Sequence, residues 1–380
     1  MATAPTVQTP VKQRTQFAYD EWMESRGVPV HHGFFVRDVR TMELAWWEER
    51  KCNTGFIQLA GQEGVSEARV TEIQPGETLP PYRMAIDEVV YVVSGRGVAS
   101  VWSDQAPTPR TFEWTDHAMF LVPHNHYRQF GNMQGEKPVR LLSYSYLPLA
   151  MSVVPDPGFF LNNPYAPPEG EYTGRQDFYS EAKIISEGGE GLRWGNGGQK
   201  KRAYWYGNFF PDMRAWDKLQ DLQHRGAGGK SVTIQFAGSD MSCHMSVFPN
   251  GTYKKAHRHG PGRVIVIPGG EGYSVMWQEG EEKVIVPWQE AALFVPPNKW
   301  FHQHFNLGSE AARYLALHPP AQFYGHAEKV EDRLKDTIEY VNEDPWVRQH
   351  FEEELAKHGN KTLMPPEAYT DPNYVWEMRV

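Results

Sequence analysis

The sequence predicts an all-β protein made of two tandem copies of one β-barrel or sandwich domain, with helical segments at both ends. Three observations predict it. Short runs rich in β-branched and aromatic residues (VVYVVS, GVASVW, VIVIP, KVIVPW) alternate with glycine- and proline-bearing turns such as IQPGE, VSGRG, FPNG, IPGGEG and VPPN. That punctuation fits strands joined by turns, not βαβ units. A set of residues from the first half reappears in register in the second half. Helical periodicity is confined to TQFAYDEWMESRG near the start and to AEKVEDRLKDTIEYV and DPWVRQHFEEELAKHG near the end.

The repeat fixes the domain organisation. Gly76, Gly95, Gly97 and Trp102 recur at one constant offset as Gly251, Gly270, Gly272 and Trp277. At an offset one residue shorter, Trp114, Asp116, Arg128 and Asn132 meet Trp288, Glu290, His302 and Asn306. The expected division is an N-terminal helical extension at 1–39, a first barrel at 40–150, a linker at 151–199, a second barrel at 200–320 and a C-terminal helical tail at 321–380. The stretch VVPDPGFFLNNPYAPPEGEYTG gives the linker its proline-rich character.

Composition removes several function classes. Apolar residues make up 40% of the 380 and aromatics 13%, ample for large cores and too much for long disorder. The formal net charge is −9, so neither nucleic acid nor an anionic membrane surface is an expected partner. Cys52 and Cys243 are the only cysteines, too few for a disulfide framework or a thiolate zinc cluster. No apolar run approaches the roughly 20 residues that span a bilayer, and MATAPTVQTPVKQRTQ lacks the apolar stretch of a signal peptide. The expectation is a soluble, cytoplasmic protein.

Chemistry concentrates in the second copy, in GTYKKAHRHGPGRVIVIPGG and VPPNKWFHQHFN. His257 and His259 alternate along a strand-like segment, so both point to one face. His302 follows the turn VPPNK on a later strand. Neutral imidazoles converging from two strands suit Fe, Mn, Ni, Cu or Zn, and three protein ligands leave positions open for substrate and O2. The competing reading is that these are ordinary core or surface histidines.

The spacing from Gly251 through His257, His259 and position 263 to Gly270 resembles the first motif of the cupin superfamily, and P-x-K-x2-H-x3-N from Pro297 to Asn306 resembles the second. With the repeat, the chain looks like a bicupin, two tandem double-stranded β-helix (jelly-roll) barrels. The resemblance implies His257, His259 and His302 as metal ligands. The family's glutamate position holds Arg263, which stays protonated and has no lone pair to give a metal. A guanidinium about 6 Å from a dication would cost about 5 kcal/mol at an effective dielectric of about 20. Arg263 therefore either points away, as in a salt bridge to Glu271, or shares a substrate carboxylate or enolate with the metal.

A three-histidine set without a carboxylate resembles that of gentisate-type ring-cleaving dioxygenases and of diketone- and thiol-oxidising cupins, which hold Fe(II). In gentisate-type bicupins the active metal lies in the first barrel, whereas the histidines here lie in the second. The first copy has Tyr82, Met84 and Arg128 in place of the histidines, and Glu88 at the acidic position, where it can pair with Arg128 inside a metal-free barrel. His124 and His126 fall out of register in a turn and read as surface residues.

Further candidates follow from strand parity. His304 shares the parity of His302 and could relay protons or bond a substrate oxygen, or instead turn outward at a bulge. His244 on SCHMSVF is a weaker substrate-binding candidate. Trp277 is another, although its repeat-equivalence to Trp102 favours packing. Lys254 and Lys255 read as a solvated edge.

The resulting expectation is a mononuclear non-heme Fe(II) dioxygenase, with Mn, Ni or Zn as alternative metals. It would cleave a ring or enolic C–C bond of a small anionic, aromatic substrate with O2, in aromatic-compound catabolism. Arg263 would anchor the anion and His304 assist proton transfer. The alternatives are a Mn, Ni or Zn lyase, decarboxylase or isomerase, and a non-catalytic binding bicupin. By resemblance, the chain forms a homo-oligomer.

Overall fold

The computed structural model describes residues 17–165, 177–185, 204–325, 334–377 and 380. The first barrel is built from β1 (Cys52–Ile57), β2 (Glu67–Ile73), β3 (Glu88–Ser94), β4 (Gly97–Trp102), β5 (Arg110–Trp114), β6 (Met119–Val122), β7 (Tyr127–Asn132) and β8 (Val139–Ser145). One face is the sheet β1-β2-β8-β3-β6 and the other is β7-β4-β5. The second barrel repeats the plan with β9 (Lys230–Gln235), β10 (Ser242–Phe248), β11 (Ala256–His257), β12 (Val264–Gly269), β13 (Gly272–Trp277), β14 (Val284–Trp288), β15 (Leu293–Phe294), β16 (Phe301–Asn306) and β17 (Ala312–Leu317). Its sheets run β9-β10-β17-β12-β15 and β14-β13-β16-β11, the latter extended by β18 (Thr337–Ile338). Both units are antiparallel two-sheet jelly rolls, as the sequence predicts.

The continuous apolar runs are strands covered on both faces. In β3, Val89, Tyr91 and Val93 enter the core shared by the two barrels, while Val90 and Val92 fill the first barrel's interior. Val264 and Val266 of β12 join the shared core, and Ile265 and Ile267 fill the second interior. The two five-stranded sheets thus pack face to face. The barrels also exchange edges: Phe35–Val36 pairs with β15, and Phe209–Phe210 pairs with β6.

The repeated residues have identifiable jobs. A Cβ on Gly97 would fall 2.3 Å from the Trp114 ring, and one on Gly272 would fall 2.8 Å from the Trp288 ring, so glycine lets each tryptophan close its barrel. The Asn132 amide donates to Ile73 O and Lys137 O, and that of Asn306 donates to Phe248 O and Glu310 O, tying the barrel rim in both copies.

Helices flank the barrels. α1 (Ala18–Glu24) packs Tyr19, Trp22 and Met23 against Tyr82, Met84 and α2 (Leu147–Val153). Near the C-terminus, α3 (Pro345–Lys357) is capped by Asp344, whose carboxylate accepts from Trp346 N at 3.0 Å. Its Val347, Phe351 and Leu355 stripe covers Tyr253, Tyr273 and Phe305 on the outside of the second barrel. The helix expected over AEKVEDRLKDTIEYV is not found in the described part of that stretch. Leu334–Asp336 form a 3-10 turn, and β18 hydrogen-bonds to β11, because the exposed edge of a strand takes up the nearest β-branched pair. No helix among the described residues is long and apolar enough to cross a membrane.

Candidate metal centre

Register brings the three histidines together. His257 on β11 lies directly opposite His302 on β16. The first barrel has Tyr82 opposite Arg128 at the equivalent place. β11 is only two residues long, and His259 reaches the group from the coil that follows it. One ring nitrogen from each of His257, His259 and His302 lies within 4.8 Å of the others. The ring centroids are 4.0 Å apart for His257 and His302, and 4.7 Å apart for His259 and His302.

Two of the rings are already in a ligand's tautomer. His259 Nδ1 donates to Gly260 O at 2.7 Å, and His302 Nδ1 donates to Trp300 O at 3.2 Å. Each therefore keeps its lone pair on Nε2, an arrangement that orients metal-binding imidazoles. Burial, then the charge of Arg225, holds His257 well below the usual imidazole range. Burial likewise brings His302 down to about 3. Rings that stay neutral at ordinary pH are the form a divalent metal needs, so the donor set fits a mononuclear centre of three neutral ligands.

The environment of the group is cationic. Arg263 is 7% exposed; its Nε has no hydrogen-bond partner, and its guanidinium lies over the Tyr324 ring at 5.4 Å. The salt bridge to Glu271 is not formed. Lys254, expected at a solvated edge, is wholly buried: its ammonium donates to Ser246 Oγ and lies over Phe248 and Tyr314. Lys255 is also buried, paired with Glu339 at 2.5 Å. Arg225, missed in the sequence, donates from Nη2 to His257 Nδ1. Burial lowers Arg225 to about 10 and holds Lys254 well below the usual amine range. Among the described residues, no carboxylate pairs with Arg225, Lys254 or Arg263.

His304 faces inward, as parity predicts. Ser274 Oγ lies 2.8 Å from His304 Nδ1 and accepts from Trp288 Nε1 at 3.0 Å. Ser274 Oγ thus links the indole donor to the His304 ring and fixes the orientation of that ring. His304 packs 4.7 Å from the Tyr314 ring and 5.6 Å from His302, centroid to centroid. His244 is further out: its Nδ1 lies 2.6 Å from His318 Nε2, and His318 Nδ1 lies 3.0 Å from the Tyr324 hydroxyl. Trp277 is not brought to the histidines. It pairs with Phe301 on the opposite face of the sheet and stacks on that ring at 5.6 Å.

The first barrel neutralises itself. Glu88 accepts from Arg128, from Arg69 at 2.8 Å and from the Tyr82 hydroxyl at 3.2 Å. Burial pushes its carboxyl up, but Arg128 and Arg69 more than offset this, so it titrates below the usual range. Of the two turn histidines expected at the surface, His126 is 4% exposed; His124 is half-buried against Asp87.

No protein-family model and no curated protein matches the sequence. Among solved structures, the chain is similar to a salicylate 1,2-dioxygenase from Pseudaminobacter salicylatoxidans (16% identity, TM-score 0.47, covering 72% of this chain and 74% of that one). It is also similar to the Bacillus subtilis oxalate decarboxylase in a study of its Mn(II) centres (12%, 0.46, 83% and 83%). A third similar structure is the vicilin of Corylus avellana, hazelnut (12%, 0.44, 76% and 86%).

Proposed function

We propose that this protein is a mononuclear metal-dependent enzyme acting on a small anionic substrate, and that the metal is Fe(II) serving O2-dependent C–C cleavage of an aromatic or enolic acid. The observation that carries the reading is the convergence of three neutral imidazoles, with no carboxylate in the group among the described residues, in a barrel lined by buried cations. His257, His259 and His302 would hold the metal. Bound there by neutral ligands, Fe(II) keeps its full charge and supplies activation of a chelating substrate and of O2.

The chain's own residues supply binding and orientation. The Arg263 guanidinium, buried without a hydrogen bond at Nε, binds and orients the substrate's acidic group by a charge-assisted contact. His304, kept neutral by burial, faces the interior where it can hydrogen-bond a substrate oxygen, while Ser274 and Trp288 hold the ring. The apolar rings of Phe248, Phe294 and Tyr314 limit water around these charges.

Metal content per chain, measured on protein purified without chelator or air beside a His257→Ala variant, tests the reading. About one iron per chain, absent from the variant, together with O2 uptake on a panel of aromatic acids and diketones, is the expected outcome. Stoichiometric Mn, Ni or Zn without O2 uptake would replace it with lyase, decarboxylase or isomerase chemistry. No metal in either protein after reconstitution would leave a binding protein.

A further inference from the structure

The three histidines are not equivalent in one respect. His259 and His302 each place their Nδ1 proton on a backbone carbonyl, which presents Nε2 to a metal. His257 does the reverse. Arginine has no lone pair, so where the Arg225 guanidinium meets Nδ1 the imidazole is the acceptor and its own proton sits on Nε2. A neutral imidazole has a single lone pair. A metal bound at Nε2 would require the proton on Nδ1, where it would face a guanidinium N–H, donor against donor. A metal bound at Nδ1 would take the lone pair that Arg225 is using. Either way, metal ligation by His257 and the Arg225–His257 hydrogen bond exclude each other.

The displaced guanidinium finds no anionic partner among the described residues. Arg225 is 9% exposed, and no carboxylate among the described residues pairs with it or with Lys254 and Arg263. Its backbone is fixed, since Arg225 O accepts from Lys255 N at 3.0 Å, so the freedom lies in the side chain. An anion entering the barrel supplies the missing acceptor, one that Arg225 and Arg263 can share. We infer that Arg225 is a latch on His257 that an anionic ligand withdraws, so that anion and metal bind this barrel cooperatively. The inference rests on the metal-centre reading and adds to it a positioning residue and a coupling. Coupling of this kind is reciprocal: the factor by which the anion tightens the metal is the factor by which the metal tightens the anion.

The test uses the full chain, Zn(II) as a diamagnetic metal and benzoate as a monocarboxylate too weak a chelator to compete in solution. A charge-assisted hydrogen bond sets the scale of the coupling at about tenfold. In the wild type, saturating benzoate should tighten Zn(II) by about tenfold, and Zn(II) should tighten benzoate by the same factor. Arg225→Met should bind Zn(II) without benzoate at least about tenfold more tightly than the wild type, and benzoate should no longer matter to its Zn(II) affinity. Ring nitrogen-15 NMR on the metal-free wild type should find the His257 proton on Nε2, and this readout does not depend on the variant folding.

Equal Zn(II) affinities with no benzoate effect, coupling that survives in Arg225→Met, or a metal-free His257 protonated on Nδ1 would each overturn the latch while leaving the metal centre standing. Zn(II) binding by the variant alone would support it. Binding by neither protein would overturn both readings.

Discussion

Arg128 donates to Glu88 in the interior of the first barrel, both side chains wholly buried, and the residues at the same two places in the second barrel are His302 and Arg263. The exchange converts one architecture from a closed ionic network into a cluster of neutral imidazoles beside buried cations. In the first copy Glu88 and Glu67 meet the charges of Arg69 and Arg128 from within the protein. In the second, the acid has been replaced by a cation and the opposing cation by a neutral imidazole.

The first prediction concerns that network. Glu88→Gln leaves the buried Arg128 and Arg69 charges short of their shared acceptor, and breaking a buried pair from one side typically costs about 3–5 kcal/mol. Urea denaturation should show a loss of that size, while metal content of the second barrel stays unchanged. A loss under about 1 kcal/mol would mean that water or Glu67 takes over the role of Glu88.

Much of this was legible in the sequence, and the gaps have physical causes. The repeat exposed the two barrels because Gly97 and Gly272 share a steric demand, and Asn132 and Asn306 share a set of carbonyl partners. The histidines stood out because their spacing is set by strand register. Lys254 was misread because alternation holds only along a regular strand, and β11 is two residues long. Arg225 was invisible: it reaches His257 from a turn 32 residues upstream, and no local pattern reports such a contact. Ser274 left a weak trace, since it shares the parity of Gly272 and Met276, the latter opposite His302.

Removing one of the three proposed ligands should separate metal binding from folding. His302 hydrogen-bonds from Nδ1 to Trp300 O at 3.2 Å and packs against the neighbouring imidazoles, while its strand is held by backbone pairing that a side-chain truncation leaves in place. His302→Ala should lower metal affinity by more than about a hundredfold, since even partners that only orient a ligand are worth about 10–100-fold. Metal analysis of the dialysed variant checks this, with an unchanged circular dichroism spectrum showing that the barrel is intact.

Arg263 offers a trade of stability for binding. Its charge is buried with Nε unsatisfied, and burial lowers its pKa, so the guanidinium costs stability at this position. Arg263→Met keeps the volume and removes the charge, and the metal-free protein should gain at least about 1 kcal/mol. The same variant should raise KM for an anionic substrate by about 10–100-fold with a smaller change in kcat, as expected for a group that binds ground state and transition state alike. A fall in both stability and affinity would mean that the guanidinium has a structural partner after all.

The last prediction is a pH dependence of stability lying outside the metal site. Glu343, from the C-terminal segment, accepts from the Tyr253 hydroxyl and, at 3.3 Å, from the Gln303 amide. Burial pushes its carboxyl up to about 7, against the partial relief those hydrogen bonds give its charge. The folded chain therefore holds this proton at a pH where the unfolded chain, with an ordinary carboxyl near about 4.5, has released it. Below the unfolded value the contribution is fully present. It is lost progressively as pH rises toward about 7 and stays lost above that. One pKa unit corresponds to about 1.4 kcal/mol, so the decline between about pH 5 and pH 8 should amount to about 2–3 kcal/mol. Glu343→Gln carries no charge at any pH and can keep the Tyr253 bond. The histidines that burial keeps neutral make both proteins gain stability as pH rises toward about 6.5, so the Glu343 contribution is read as the difference between them: the variant should gain about 2–3 kcal/mol on the wild type between about pH 5 and pH 8. Denaturation curves of both proteins at the two pH values decide it: a variant with the same slope as the wild type would place the titration elsewhere.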